Sequence, residues 1–379
     1  MKIVVAPDSF KGSVTALQAA EAIECGLHRV FPDAEIEKLP MADGGEGTAQ
    51  SLIDATGGQM LTESVVDPLG IEIEAQYGVL GDEVTAVIEM AAASGLTLVP
   101  LAKRNPLITT TYGTGQLIKA ALDHGCRKLI IGIGGSATND GGAGMAQALG
   151  AKLITASGEP IPWGGGGLRE LDAIELSELD PRIPETETVV ACDVNNPLTG
   201  EDGASHVYGP QKGATPEMVQ TLDANLAHFD TILQRDIGGT VGAIPGAGAA
   251  GGLGAGLMAF LNAELKSGVA LVIETTQLEK WLADADLVIT GEGQINFQTV
   301  FGKTPIGVAK AAKAQGIPVV AIAGSISDDA DGVYDAGIDA MLNIVPEPMT
   351  LEVAIENARA LIENAAERAA RLISVGMKS

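Results

Sequence analysis

Residues 1–55, MKIVVAPDSFKGSVTALQAAEAIECGLHRVFPDAEIEKLPMADGGEGTAQSLIDA, read as strand, helix, strand, helix. The run 2–6 is apolar without alternation after its lysine, as a strand covered on both faces of a parallel sheet requires. Thr15 and Gln18 have the spacing of a capping box, and Ala16, Ala20, Ile23 and Leu27 recur on one face of the helix predicted to run to about Val30. Residues 34–39 form the next strand and 48–55 the next helix. Repeated β-α units of this kind build a doubly wound parallel sheet. The far end of the chain has the same rhythm: strand 287–290, a helix opened by Thr304-Pro305 and stopped by Gly316, strands 318–323 and 340–344, and an alanine-rich helix 350–373.

The middle of the chain is patterned differently. Segments 60–66, 71–79 and 84–90 are closely spaced strands separated by the turn signals Asp67-Pro68-Leu69-Gly70 and Gly81-Asp82, the mark of an antiparallel meander. Residues 128–132 return to a buried parallel strand, 188–192 form another strand, and 257–261 continue a glycine-alanine stretch as packed helix. The predicted fold class is therefore α/β: a Rossmann-like doubly wound parallel sheet domain with an inserted, smaller mixed α/β domain. Residues 1–58, 105–150 and 266–379 are assigned to the first, and 59–104 and 151–265 to the second. The cleft between the domains is the expected position of the site.

Composition narrows the function class. Hydrophobic residues make up 46% of the 379 and aromatic residues 3%, so the core must be assembled from Ala, Val, Ile and Leu. The 49 acids against 23 bases give a net charge of −26, which repels nucleic acid and anionic membranes. An anionic substrate must therefore find local cations, and Lys11, Lys212 and Lys303 stand in glycine-rich segments. Cys25, Cys126 and Cys192 are odd in number and lack CxxC spacing, which argues against a disulfide framework or a zinc site. The first residues are a strand rather than a secretion signal, and no apolar run approaches the ~18 residues of a membrane span. A cytoplasmic protein is the expectation. The residues do not specify an oligomeric state.

Three apolar runs each lead into a glycine-rich turn carrying carboxylates or hydroxyls: 39–48, 129–144 and 287–299. In α/β proteins such turns fall at the carboxyl ends of strands, where ligands bind, and glycine lets backbone N–H groups approach an anion. No Walker-type GxxxxGK[ST] occurs. After the first strand, Asp8 and Ser9 suit a polyol hydroxyl and Lys11 a carboxylate or phosphate; a locally bonded turn is the plain alternative. Asp43 is read as a site residue and Thr48 as a helix cap. The turn 132–144 is the best phosphate cradle, with Gly134, Gly135, Ser136, Thr138 and Asn139 toward a polyphosphate and Asp140 toward Mg²⁺. Asp193, at a strand end before Asn195-Asn196-Pro197, is a candidate metal ligand or base, with an Asx-turn as the alternative. Lys212 is a candidate anion contact. Glu292, Gln298, Thr299 and Lys303 belong to the third turn. The four histidines are scattered.

The blocks APDSFKGS (6–13), MADGGEGT (41–48), GIGGSATNDGGAGMAQALGA (132–151), ACDVNNPL (191–198), GPQKGA (209–214), GAGAAGGLGAG (246–256) and TGEGQINFQTVFGKTP (290–305) resemble, in this order, the bacterial type-1 glycerate kinase family. The resemblance spans nearly the whole chain. It implies ATP- and Mg²⁺-dependent phosphorylation of D-glycerate, and for the enterobacterial members it most resembles, 2-phosphoglycerate as product in glyoxylate and sugar-acid catabolism. With that reaction in view, the residues place glycerate near Asp8, Ser9, Lys11, Asp43 and Gln298, because an acidic chain has few other cations in motif positions, and nucleotide on the 132–144 turn. One position departs: where the family pattern reads GEG-x-[IL]-D-x-QT, this chain has Asn296. If the family Asp is the catalytic base, with Asp193 and Lys11 the other catalytic candidates, Asn296 makes an inactivated form, because Asn accepts no proton at neutral pH; a natural variant using Asp193 or Asp43 as base is the alternative. Transfer to O3, giving 3-phosphoglycerate, and a non-catalytic sensor of sugar acid and nucleotide are the alternatives.

Overall fold

A computed structural model describes residues 1–377. The strands, in chain order, are β1 (Lys2–Pro7), β2 (Glu35–Lys38), β3 (Gln59–Val66), β4 (Glu72–Val79), β5 (Thr85–Glu89), β6 (Lys128–Gly132) and β7 (Lys152–Ile154). They continue with β8 (Ala173–Glu175), β9 (Glu187–Ala191), β10 (Glu264–Lys266), β11 (Leu287–Ile295), β12 (Val319–Ile326) and β13 (Ala340–Asn343). Two compact units divide the chain: residues 1–43, 50–57 and 269–379, and residues 44–49 and 58–268.

The first unit is a five-stranded, wholly parallel sheet in the order β13-β12-β11-β1-β2. Counted within the unit, this is the flavodoxin-like order, in which successive strands leave β1 in opposite directions. The helix Ala16–His28 begins at Thr15, whose hydroxyl caps Gln18 N while the Gln18 side chain returns to Thr15 N. Its apolar face, with that of the C-terminal helix Ala358–Gly376, covers Ile3, Val5, Ile289 and Ile322. The helical stretch expected over 350–373 breaks at Asn357 into Leu351–Glu356 and Ala358–Gly376.

One larger departure concerns 287–299. The segment TGEGQI is not a turn: β11 runs to Ile295, pairing with β12 as far as Ile295↔Ile326 after β1 has ended at Pro7. Its glycines serve close strand approach, since a Cβ on Gly291 would stand 2.0 Å from Ile322 O and one on Gly324 2.4 Å from Gly293 O.

The second unit holds a six-stranded mixed sheet, β10-β9-β6-β5-β4-β3, with β10, β9, β6 and β5 parallel and the 59–89 meander antiparallel. β6 lies here, between β5 and β9, so residues 105–150, assigned above to the Rossmann-like domain, fall in the inserted unit and make it the longer of the two. The reason is local: β5, the helix Tyr112–His124 and β6 form one parallel crossover unit, which packs back on its own strand pair. A short antiparallel pair, β7 and β8, lies in the same unit. The three cysteines are free, and among the described residues no helix is long and apolar enough to cross a membrane.

Candidate active site

In the first unit, β1 and β11 are neighbours in parallel register, with Pro7 opposite Gly291. The next residue of each strand is an acid, so Asp8 and Glu292 stand side by side at the carboxyl edge of the sheet, where the strand order reverses. Asp8 N–H donates to Gly291 O at 2.8 Å. One Asp8 oxygen accepts from Thr304 Oγ1 at 2.8 Å and the other from Ser9 N at 2.6 Å. Glu292 accepts from Thr299 Oγ1 at 2.8 Å and pairs with Lys303 Nζ at 3.4 Å. Both acids are buried, and burial, before any neighbouring charge, pushes both carboxyls above the usual carboxylate range. Asp43 adds to the rise at Asp8, and the Asp8 charge adds to that at Glu292. Lys11 Nζ lies 3.6 Å from Asp43 Oδ2. Asp8, Ser9, Lys11 and Asp43, nominated from sequence, thus fall in one neighbourhood with Glu292 and Lys303.

Asn296 follows β11 directly. Its Oδ1 accepts from Gln298 N at 2.9 Å, and its own N–H donates to Thr299 Oγ1 at 3.2 Å, capping the 3₁₀ helix Phe297–Phe301. The Thr299 hydroxyl passes that connection on to Glu292. Gln298 itself is exposed.

In the second unit the turn 132–144 leaves the end of β6. Only Gly134 and Gly135 are exposed; Ser136, Thr138, Asn139 and Asp140 are buried. Asp140 receives four donors: Thr111 N at 2.8 Å, Thr111 Oγ1 at 2.9 Å, Gly142 N at 3.2 Å and Gly144 N at 3.3 Å. Burial pushes its carboxyl up while those donors hold it down. With its oxygens turned inward and so occupied, Asp140 does not fit a Mg²⁺ site; it ties the turn to the start of the helix Tyr112–His124. Asn139 Nδ2 donates to Ser205 Oγ at 3.0 Å, while its Oδ1 and Thr138 Oγ1 are buried without a protein partner.

Lys212 is 2% exposed and lies behind the same turn, donating to Ser136 Oγ at 2.6 Å and Thr138 O at 2.7 Å. Burial pushes its ammonium down to about 7, the Asp140 charge opposing. A lysine lowered by folding binds fewer protons than its unfolded counterpart between about 7 and the ordinary lysine range near 10.4, so folded stability rises with pH across that window. Relative to Lys212→Met, the wild type should gain roughly 1 kcal/mol per pH unit between about pH 7.5 and 9.5, read by urea melts. Parallel curves for the two proteins would show that Lys212 is charged throughout.

The turn 44–49 packs on the same edge. A Cβ on Gly44 would meet Gly268 Cα at 2.7 Å and the Ala191 side chain at 2.9 Å, and Gly45 Cα lies 4.0 Å from the Cβ position of Gly134. Glu89, the last residue of β5, accepts from Ala49 N at 2.9 Å at the start of the helix Thr48–Thr56. Thr48, read as the cap, is that helix's first residue and bonds Gly45 O instead. Sequence reasoning missed Glu89, for its partner lies 40 positions away. Asp193, just beyond β9, is exposed, and its Oδ1 accepts from Gly268 N at 3.1 Å. An exposed carboxylate at a strand end fits Mg²⁺, which takes few protein ligands and keeps its waters. Among the described residues no group of three His, Cys, Asp or Glu side chains is placed to hold a metal.

A family model described as the glycerate kinase family matches residues 3–374. The chain is 58% identical over 378 residues to a glycerate kinase of Bacillus subtilis (strain 168), covering 100% of this chain and 98% of that one. It is 52% identical over 379 residues to the glycerate 2-kinase of Escherichia coli (strain K12), covering 100% of both. A crystal structure assigned to glycerate kinase 2 of Salmonella typhimurium LT2 matches with a TM-score of 0.94 at 51% identity, over 100% of each chain. With the motifs in order and the relatives matched end to end, the chain belongs to the glycerate kinase family and is an enzyme of the kinase class.

Proposed function

We propose that this chain transfers the γ-phosphoryl group of ATP to O2 of D-glycerate, forming 2-phosphoglycerate and ADP in the cytoplasm. The observation that carries the reading is the 52% identity, over the full length of both chains, to a protein named glycerate 2-kinase. When bound, ATP supplies the phosphoryl group and Mg²⁺ offsets charge on its phosphates. The chain's own residues do the rest. The exposed backbone of Gly134 and Gly135 suits phosphate oxygens. Asp193 is the carboxylate suited to Mg²⁺. Lys11 and Lys303 offer local positive charge to the glycerate carboxylate in a protein of net charge −26, with Ser9 and Gln298 as polar contacts.

The test is ADP release by the purified chain with ATP, Mg²⁺ and D-glycerate, with the product identified by NMR. Glycerate-dependent ADP release with 2-phosphoglycerate supports the reading; 3-phosphoglycerate moves the transfer to O3. Tight binding of both ligands without product would make the chain a sensor.

Asn296 bears on the same assay. A base at position 296 predicts that Asn296→Asp raises kcat at least about 10²-fold. Its observed engagement as a cap favours the other outcome, because Asn and Asp cap alike, and the expected kcat ratio is within about threefold.

A further inference from the structure

We propose that Asp8 is the group that accepts the proton of the substrate hydroxyl, with Glu292 on the adjoining strand as its positioning neighbour. The inference rests on the kinase reading above and deepens it, assigning the proton's destination.

Topology comes first. In an open parallel sheet the ligand crevice lies beyond the carboxyl ends of the strands where their order reverses, and β1 and β11 flank that point in the first unit. Asp8 and Glu292 are the residues placed there by register. Asp8 is also held from several sides: its backbone to Gly291, its carboxylate to Thr304 Oγ1 and Ser9 N. Each carboxylate oxygen has lone-pair capacity for a further hydrogen bond beyond its present donor.

The two acids differ in their partners. Glu292 has an ammonium at 3.4 Å and a hydroxyl at 2.8 Å, which oppose the rise that burial imposes on its carboxyl. Among the described residues no lysine or arginine stands within ion-pair distance of Asp8. The Asp43 charge raises the Asp8 carboxyl and the Lys11 charge, itself paired to Asp43, lowers it, while the Asp8 charge adds to the rise at Glu292. Burial, then the Asp43 charge, raise the proton affinity of Asp8, against the hydrogen bonds from Thr304 and Ser9 and the Lys11 charge. Position 296, by contrast, carries an amide engaged as a cap.

The step balances as follows. The glycerate O2 lone pair forms the new bond to the γ-phosphorus. The bond from that phosphorus to the β,γ-bridging oxygen breaks, and its electron pair leaves with ADP. The O2 proton passes to the Asp8 carboxylate and then to solvent.

The experiment uses the full chain and four proteins: wild type, Asp8→Asn, Glu292→Gln and Asn296→Asp. Steady-state ADP release, glycerate Kd by calorimetry and the pH profile of kcat/KM are measured on each. Asp8→Asn should lower kcat by about 10²–10⁴-fold while changing glycerate Kd by less than about threefold. Glu292→Gln removes a like charge from Asp8 and should move the acid limb of kcat/KM to lower pH, a shift that loss of packing alone does not produce. That limb keeps the proposal testable even if Asp8→Asn does not fold. An active wild type with an unchanged kcat in Asp8→Asn, or with an acid limb unmoved by Glu292→Gln, overturns the proposal and leaves the kinase reading standing. A wild type that gains 10²-fold or more on Asn296→Asp moves the base to position 296 and also overturns it. No turnover in either wild type or Asn296→Asp overturns the kinase reading itself, and this proposal with it.

Discussion

Asp140→Ala should cost the folded chain at least about 3 kcal/mol, the range for leaving several buried donors without an acceptor. Four donors converge on this carboxylate from Thr111, Gly142 and Gly144. The Thr111 hydroxyl accepts from Met145 N at 2.9 Å, so its proton is committed to Asp140. Space for a replacement is scarce, since a Cβ on neighbouring Gly144 would stand 2.1 Å from Thr110 Oγ1. Asp140→Asn should not rescue, because its NH₂ would face donors rather than acceptors. Urea melts followed by circular dichroism measure the effect. A loss below about 1 kcal/mol would show that the turn closes without this residue. The same pair of variants separates two roles for Asp140. A metal ligand would lose Mg²⁺-dependent turnover with an unchanged melt, whereas a buried tie loses the melt first.

Asp193→Ala should remove Mg²⁺-dependent turnover, lowering kcat at least about 10²-fold, since a divalent ion contributes several kcal/mol of charge stabilisation. Measurement alongside an Asn296→Asp form, if that form proves the more active, keeps the baseline high. The side chain is exposed, so stability should change by less than about 1 kcal/mol. The diagnostic is a titration: raising Mg²⁺ should recover part of the lost rate if Asp193 holds the ion. An unchanged kcat at limiting Mg²⁺ would take Asp193 out of the mechanism.

Several features of this protein were legible along the chain. The Thr15–Gln18 box, the first strand and helix, the 59–89 meander and the strand 128–132 all depend on residues within one element or one turn. Periodicity, caps and turn residues report such local facts directly. The ordered glycine-rich blocks likewise pointed to the family, because their combination over most of the chain is specific.

Tertiary structure decided the rest. Whether KLIIG joins one sheet or another turns on the strands beside it, and an apolar run buried on both faces reads the same in either. Whether TGEGQI bends or continues turned on β12 extending to Ile326 and supplying partners past the end of β1. Burial separated side chains that a motif presents as equals. Of the cradle residues, Gly134 and Gly135 are open while Asp140 and Lys212 face inward, because Thr111, 29 positions from Asp140, and Ser136, 76 positions from Lys212, draw them there. Glu89 meeting Ala49, and Asp8 meeting Glu292 across 284 residues, are pairings of the same kind. Hydrogen bonds and desolvation act between groups adjacent in space, so sequence alone named the candidate acids and cations, and only the folded chain determined which of them stand together.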